Sequence, residues 1–358
     1  MKHIKLKLIA WIIRAVLMVA LICGCQPTID DIFQQVDYKK LGYILNDNAN
    51  LSTFNAAVGV TDVKSLLNST DSTVLFAPND LYLVSQGFNA STIVEQPSNI
   101  INAFVNNHVL DDYVDLASLP YFVKQKLYSR SGHTNYVSRW IKDDLTYYTV
   151  NGLRIEEQPI RGANGVIYVL NGMLQQFEYA TVFEAIKSDF SMTLFTHVIE
   201  RAGLASLFDE LKNCTVFVPT NQALAAIGLS SLEKVDQADV AALKKLVLYH
   251  VYPDILFVGD LSFTTNFSGS GLFTTVVTLF NGYRTVTTVA GKYGLREVKM
   301  YDGNNIQLKF YEGYYTGVYT SQLNLIDKLG RQILVDYDRK DIVAKSGTIH
   351  QIHSVLNY

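Results

Sequence analysis

"TVFVPTNQAL", residues 215–224, and "VLFAPNDLYL", residues 74–83, are two versions of one string. In each, a short run of β-branched and aromatic residues, Val74 to Ala77 or Thr215 to Val218, has the composition of a buried strand. Pro78 and Pro219 then end the ladder, because proline donates no N–H. Asn79 and Asp80, or Thr220 and Asn221, follow with side-chain oxygens able to accept the free N–H groups of a starting helix. One strand-to-helix corner is therefore written twice in this chain.

Two further pairs recur in the same order. "IINAFVNNHVL" (100–110) aligns with "LKKLVLYHVY" (243–252) on His108 and His250, and "NGVIYVLNGML" (164–174) aligns with "SGTIHQIHSVL" (346–356). Proline to histidine is 30 residues in the first copy (78 to 108) and 31 in the second (219 to 250). Val240, Leu243, Leu246, Val247 and His250 fall at helical spacing, as do Ile101, Phe104 and His108, with Asp239 and Ser98 as the expected N-caps. The third pair reads as a strand entered through Gly165 or Gly347.

These boxes resemble the fasciclin-like domain, a family of adhesion and matrix modules. The resemblance is carried by Thr215-Val216-Phe217-Val218-Pro219-Thr220-Asn221, by Tyr249-His250 and by Gly347-Thr348-Ile349-His350. The first copy departs from it at Asn107, in the place of Tyr249, and at Tyr168, in the place of His350. The resemblance implies an α+β fold of two tandem modules, each a β-sandwich-like wedge with helices packed at one end. Pro78, His108, Pro219, Asn221, Tyr249 and His250 are then structural motif residues. On this reading, residues 37–177 form the first module and 178–358 the second, with the linker around Gln175 to Ala180. The second opens with Phe183, Ile186, Phe190 and Leu194 near helical spacing, stopped at Gly203. From histidine to glycine the second copy is about forty residues longer (250 to 347 against 108 to 165), so a β-rich insertion is expected at about 263–337. "TTVVTLF", the turn "NGY" and "RTVTTVAGKYGL" read there as hairpins.

The N-terminus reads differently. Lys2, Lys5 and Lys7 precede an apolar stretch from Leu8 to Ile22 broken by Arg14, which has the form of a secretory signal rather than a membrane span. It ends in Ile22-Cys23-Gly24-Cys25, similar to a bacterial lipobox. Residues 1–24 are therefore expected to be a lipoprotein signal peptide, Cys25 the lipidated residue and 25–36 a flexible tether, with the membrane as a partner through the acyl chains. Asp30 and Asp31 are similar to the acidic export signals of Bacteroidetes lipoproteins, which implies an outer-membrane, surface-exposed location. Cys214 remains as the only cysteine after Cys25, and is read as a small core residue.

Composition narrows the function. A net charge of −3 with no clustered Lys and Arg offers no footprint for nucleic acid. No nucleophile elbow, P-loop, H-E-x-x-H or C-x-x-C occurs, so neither an enzyme nor a cofactor is expected. His350 and His353 lie three apart on a strand and point to opposite faces, which argues against a shared metal. Asp111-Asp112 and Asp143-Asp144 read as solvated turns. The candidate ligand-binding residues are Tyr311, Tyr314, Tyr315 and Tyr319 in "FYEGYYTGVYT". They serve either as a stacking platform for glycan or as cross-strand pairs stiffening hairpins. The expected function is a non-catalytic cell-envelope lipoprotein for adhesion or binding of glycan, matrix or a partner protein, beside an outer-membrane glycan-uptake system. The alternative is a purely structural scaffold stacked against a membrane partner.

Overall fold

Six residues of each repeated string form the strand around which its module is built. In the computed structural model, which describes residues 39–155, 158–175, 178–278, 284–315 and 318–357, these strands are Thr73–Pro78 and Cys214–Pro219, buried at all six positions. The signal segment, Cys25 and the "NGY" turn lie outside the described residues.

In the first module, helices α1 (Leu41–Asp47), α2 (Ser52–Gly59) and α3 (Val63–Leu67) precede β1 (Thr73–Pro78). Helices α4 (Asp80–Ser85) and α5 (Ser98–Asn107) follow. The chain continues through β2 (Lys124–Tyr128), β3 (Thr134–Lys142), β4 (Leu145–Val150), β5 (Leu153–Arg154), β6 (Ile160–Gly162) and β7 (Gly165–Leu170). β1 pairs in parallel with β7 in a sheet of order β1-β7-β6, and β2 to β5 form a second sheet in sequence order. One face of the β1–β7 pair, with Leu75, Ala77, Ile167 and Val169, packs on the helices. The other, with Val74, Phe76, Val166 and Tyr168, packs on Val137 and Val150 of the second sheet. A strand covered on both faces needs an unbroken apolar run, which is why the opening strings do not alternate.

The second module repeats this plan with α6 (Val182–Lys187), α7 (Thr193–Arg201), α8 (Ala205–Glu210), β8 (Cys214–Pro219), α9 (Asn221–Ala225), α10 (Leu232–Asp236), α11 (Val240–Tyr249), β9 (Val251–Tyr252) and α12 (Leu261–Thr264). Five antiparallel strands follow: β10 (Phe267–Thr278), β11 (Arg284–Lys299), β12 (Asn305–Tyr315), β13 (Val318–Ile326) and β14 (Gln332–Leu334). β15 (Ile342–Ala344) and β16 (Gly347–Ile352) complete the sheet β15-β16-β8-β9. The parallel pairs superpose in register. Thr73 faces Gly165 and Pro78 faces Leu170, while Cys214 faces Gly347 and Pro219 faces Ile352.

The extra residues of the second copy lie in the antiparallel strands β10–β14 and lengthen the strands that stand where β2–β5 stand in the first, with β10 and β11 reaching 12 and 16 residues where β2 and β3 have 5 and 9. Two local expectations change. Phe190 does not sit on an apolar helix stripe: the chain breaks after α6, Asp189 caps a short turn through the Ser191 N–H, and Phe190 is 90% exposed. Ser98 does not cap α5. Pro97 occupies that position, and its fixed φ sets the helix entry without a side-chain bond. Asp239 does cap α11, accepting from the Ala242 N–H at 2.8 Å. Asp143 and Asp144 form the two-residue β3–β4 turn with φ of 52° and 60°, a conformation that short polar side chains tolerate.

The strand-to-helix corner divides its work between two residues. Asn79 and Thr220 cap their own helices, accepting from the N–H of Tyr82 and Ala223. The next residue reaches across to an earlier helix. Asp80 accepts from the Ser52 N–H (3.1 Å), the Ser52 hydroxyl and the Thr53 N–H (2.9 Å), and Asn221 accepts from the Leu194 N–H (2.9 Å). Both therefore satisfy the otherwise open start of α2 or α7. Asp80→Ala is expected to cost about 1–2 kcal/mol in a urea titration, at the upper end for a cap because three donors lose their acceptor.

Candidate functional site

His108 and His250 end α5 and α11 and are fully buried. In each, Nδ1 pairs with a carbonyl of its own helix, Phe104 at 2.8 Å or Leu246 at 2.7 Å. Nε2 accepts from a backbone N–H just past the last strand of the module, Leu174 or Leu356, at 3.0 Å in both. An acceptor Nε2 requires the neutral imidazole protonated on Nδ1. Burial agrees, lowering both pKa values from 6.5 to about 4. Each imidazole thus staples the end of the module to its longest helix.

The residue before each histidine reaches the opposite sheet. The Tyr249 hydroxyl accepts from the Lys328 N–H at 3.0 Å. Asn107 accepts from the Ser129 hydroxyl at 2.9 Å, so the shorter side chain keeps the link because β2 ends nearby. Tyr168 and His350 both lie against the phenylalanine opposite them, Phe76 and Phe217, with ring centroids 5.9 and 5.6 Å apart. His350 donates to the Leu256 carbonyl and accepts from the Asp341 N–H, whereas His353 is exposed and pairs with Asp336. Among the described residues no group of three His, Cys, Asp or Glu could hold a metal ion. Nor is any described helix long and apolar enough to cross a membrane. Cys214 is buried, and desolvation pushes its thiol up to about 12.

The four tyrosines do not form one platform. Alternation along β12 sends Tyr311 and Tyr315 to one face and Tyr314 to the other, where Tyr319 faces it across the strand pair. Tyr311 is 7% exposed, packed with Phe273 and Val289 where the long strands curl together. Tyr314 is 64% exposed, with Tyr319 edge-on to it at 5.7 Å.

Tyr314 and Tyr319 line a cleft of about 560 Å³ between the two modules. The first module contributes Lys142, Tyr147 and Arg154 from β3 to β5. The second contributes Phe263 from α12, Lys292 from β11 and Glu312 from β12. Glu312 is buried between Lys292 Nζ (3.0 Å) and Lys142 Nζ (3.6 Å) and accepts from the Tyr319 hydroxyl at 3.0 Å. Burial alone would raise its pKa, but hydrogen bonding from Ser262 and Lys292 and the two ammonium charges outweigh burial and hold it below the usual carboxylate range. The Arg154 guanidinium lies over Tyr147 at 4.6 Å, with Tyr319 and Phe263 at 5.8 and 5.9 Å. A second cleft, of about 570 Å³, opens along the same junction and shares Tyr319.

The junction itself is fixed by close contacts. Trp140 stacks on Phe263 at 5.6 Å with planes 7° apart, and Tyr136, Ile255, Phe257 and Val343 form a small shared core. The Gln175 amide exchanges two hydrogen bonds with the Val343 backbone, both 2.9 Å. A Cβ on Gly259 would lie 1.9 Å from the Gly152 carbonyl oxygen, so the two backbones touch. Trp140 donates to Thr149, which donates to Asp260 at 2.7 Å, and burial pushes the Asp260 carboxyl up to about 7. Lys142, Tyr147, Arg154, Phe263, Lys292 and Glu312 carry no motif and no shared spacing. Their only signal in the sequence is the aromatic and charged character of the strands that meet here.

Two like α+β modules in tandem, each centred on a parallel strand pair and locked by a buried histidine, define the class of protein. The Fasciclin domain matches residues 49–176 and 190–358, and the chain belongs to that family. Human periostin is 27% identical over 209 residues, which is 58% of this chain and 23% of periostin. The fasciclin-like arabinogalactan protein elcF of Phaeosphaeria nodorum is 25% identical over 245 residues, covering 62% of this chain and 71% of that protein. A solved FAS1 domain pair from the insect cell adhesion molecule Fasciclin I is 16% identical, covering 87% of this chain and 98% of that one, with a TM-score of 0.36.

Proposed function

We propose that this protein is a non-catalytic lipoprotein of the cell envelope that binds glycan in the cleft between its two Fasciclin domains. It serves adhesion or delivery to an outer-membrane uptake system. The observation that carries the reading is the cleft wall, where the exposed ring of Tyr314 stands beside Tyr147 and a rim of hydrogen-bonding charged groups. Aromatic faces suit the apolar faces of sugar rings, and the charged groups suit their hydroxyls. Glu312 is ill-suited to general-acid work, since two ammonium groups hold its proton off. Anchorage rests on Cys25, and Cys25→Ala is expected to move the protein from the membrane to the soluble fraction of the cell.

A glycan array with purified protein tests the binding reading. Tyr314→Ala is expected to lose about 2 kcal/mol of affinity for any sugar that binds, roughly thirtyfold, as for an aromatic hot spot. Tyr311→Ala should instead lower the melting temperature, because that ring is core. An array on which nothing binds ends the glycan reading. The scaffold reading has its own observation: Leu272 and Val286, 70% and 71% exposed, share one face of the β10–β11 ribbon. Co-purification of an envelope protein, lost on Leu272→Asp, would favour it.

A further inference from the structure

Arg154 is the unbalanced charge of the cleft. Lys142 and Lys292 are both paired with Glu312, whereas Arg154 has no carboxylate or hydrogen-bond acceptor among the described residues, and its Nε is buried without a partner. A guanidinium stays charged at every accessible pH and offers donors in a fixed planar fork matching an oxyanion. Tyr147, Phe263 and Tyr319 hold that fork by its faces, which restricts its rotation and leaves the edge donors for another group. The Nε itself is closed off from solvent, so a group in the cleft is met by the outer Nη donors, which have no acceptor among the described residues either. Water or a neutral hydroxyl would satisfy the donor but leave the charge uncompensated. An oxyanion satisfies both.

Resting on the glycan reading above, we propose that the cleft selects an anionic sugar unit, whose carboxylate or sulfate pairs with Arg154 while its ring lies against Tyr314. Charge within the lining agrees. Lys142, Lys292 and Arg154 stand against Glu312 and the exposed Asp143, leaving one positive charge. The cleft, at about 560 Å³, has room for a short oligosaccharide rather than a lone ion.

The test is calorimetric titration of the full chain with three probes: oligogalacturonate for carboxylate, sulfated galactan oligosaccharides for sulfate, and uncharged galactan oligosaccharides of matched length. At least tenfold tighter binding of one acidic probe than of the neutral one is expected, and the preferred acid identifies the anion. Arg154→Gln should erase that preference. Arg154→Lys should restore only part of it, because an ammonium cannot pair bidentately. Both variants should melt within a few degrees of the parent, which separates a lost ligand contact from a lost fold. Equal affinity for acidic and neutral probes, or a preference that survives Arg154→Gln, overturns this inference and leaves glycan binding standing. Silence from all three probes overturns this inference as well, and the glycan array then decides whether the glycan reading falls with it.

Discussion

Gly347→Ala is expected to leave the second module unable to close. A Cβ at Gly347 would stand 2.0 Å from the Cys214 carbonyl oxygen and 2.9 Å from its carbonyl carbon. Both atoms belong to the backbone of a strand buried at every position, so nothing there can rotate away. The pair must separate or slip, and a slip of one residue sends each side chain to the wrong layer. A loss of about 4 kcal/mol or more is expected, among the largest effects of a single added methyl. Gly165→Ala should behave alike, since its Cβ would meet the Thr73 carbonyl oxygen at 1.9 Å and its φ is 140°. Gly59→Ala, with nothing within 4 Å, is the control. Thermal melts decide the matter: a Gly347→Ala protein with the parent's transition would refute the strand pairing.

Acid should unfold the protein through its histidines before most carboxylates are protonated. His108 and His250 have folded pKa values of about 4 against an ordinary 6.5. Between those values the unfolded chain binds the extra protons. Stability is therefore fully present above pH 6.5 and falls as pH drops toward 4, by roughly 3 kcal/mol for each histidine. His350, also depressed by burial, acts in the same direction. Asp260 opposes them. Its folded pKa of about 7 lies above the ordinary 3.8, so the folded state holds the extra proton over nearly the same window, and its contribution is lost as pH rises. Asp260→Asn, which removes the opposition, should steepen the acid loss in denaturant titrations between pH 6.5 and 4.5. An unchanged slope would show that Asp260 does not titrate as its burial requires.

The architecture was readable because its main constraints are local. A proline closing an apolar run, an Asx or Thr after it, and a histidine thirty or so residues on all act within one element or its immediate neighbour. The duplication then exposed them twice. Which partner each side chain finds was not readable. Asp80 and Asn221 look like caps for the helices they begin, yet both serve helices that precede them in the chain. His250 is legible as a residue of an apolar helix stripe, but neither of its partners is: its Nδ1 pairs within the helix and its Nε2 holds the chain after β16. The tyrosine run suggested a single surface, although alternation on β12 already separates Tyr311 from Tyr314. The cleft was hidden altogether. It arises where β3–β5 of one domain meet α12 and β11–β13 of the other, and the packing of Trp140 on Phe263 that sets this meeting leaves no periodic trace.

The parallel pairs also order events in time. β1 finds its partner 92 residues later (73 to 165), and β8 waits 133 residues for β16 (214 to 347). At equilibrium the longer closure costs only about 0.3 kcal/mol more, so the two domains need not differ much in final stability. Kinetically the difference is larger, because contacts so distant along the chain form slowly and only after both ends exist. As the polypeptide emerges from a ribosome, the first domain can assemble while the second still presents an unpaired apolar strand. That strand is the segment a holding chaperone would have to cover until residues 347–352 arrive.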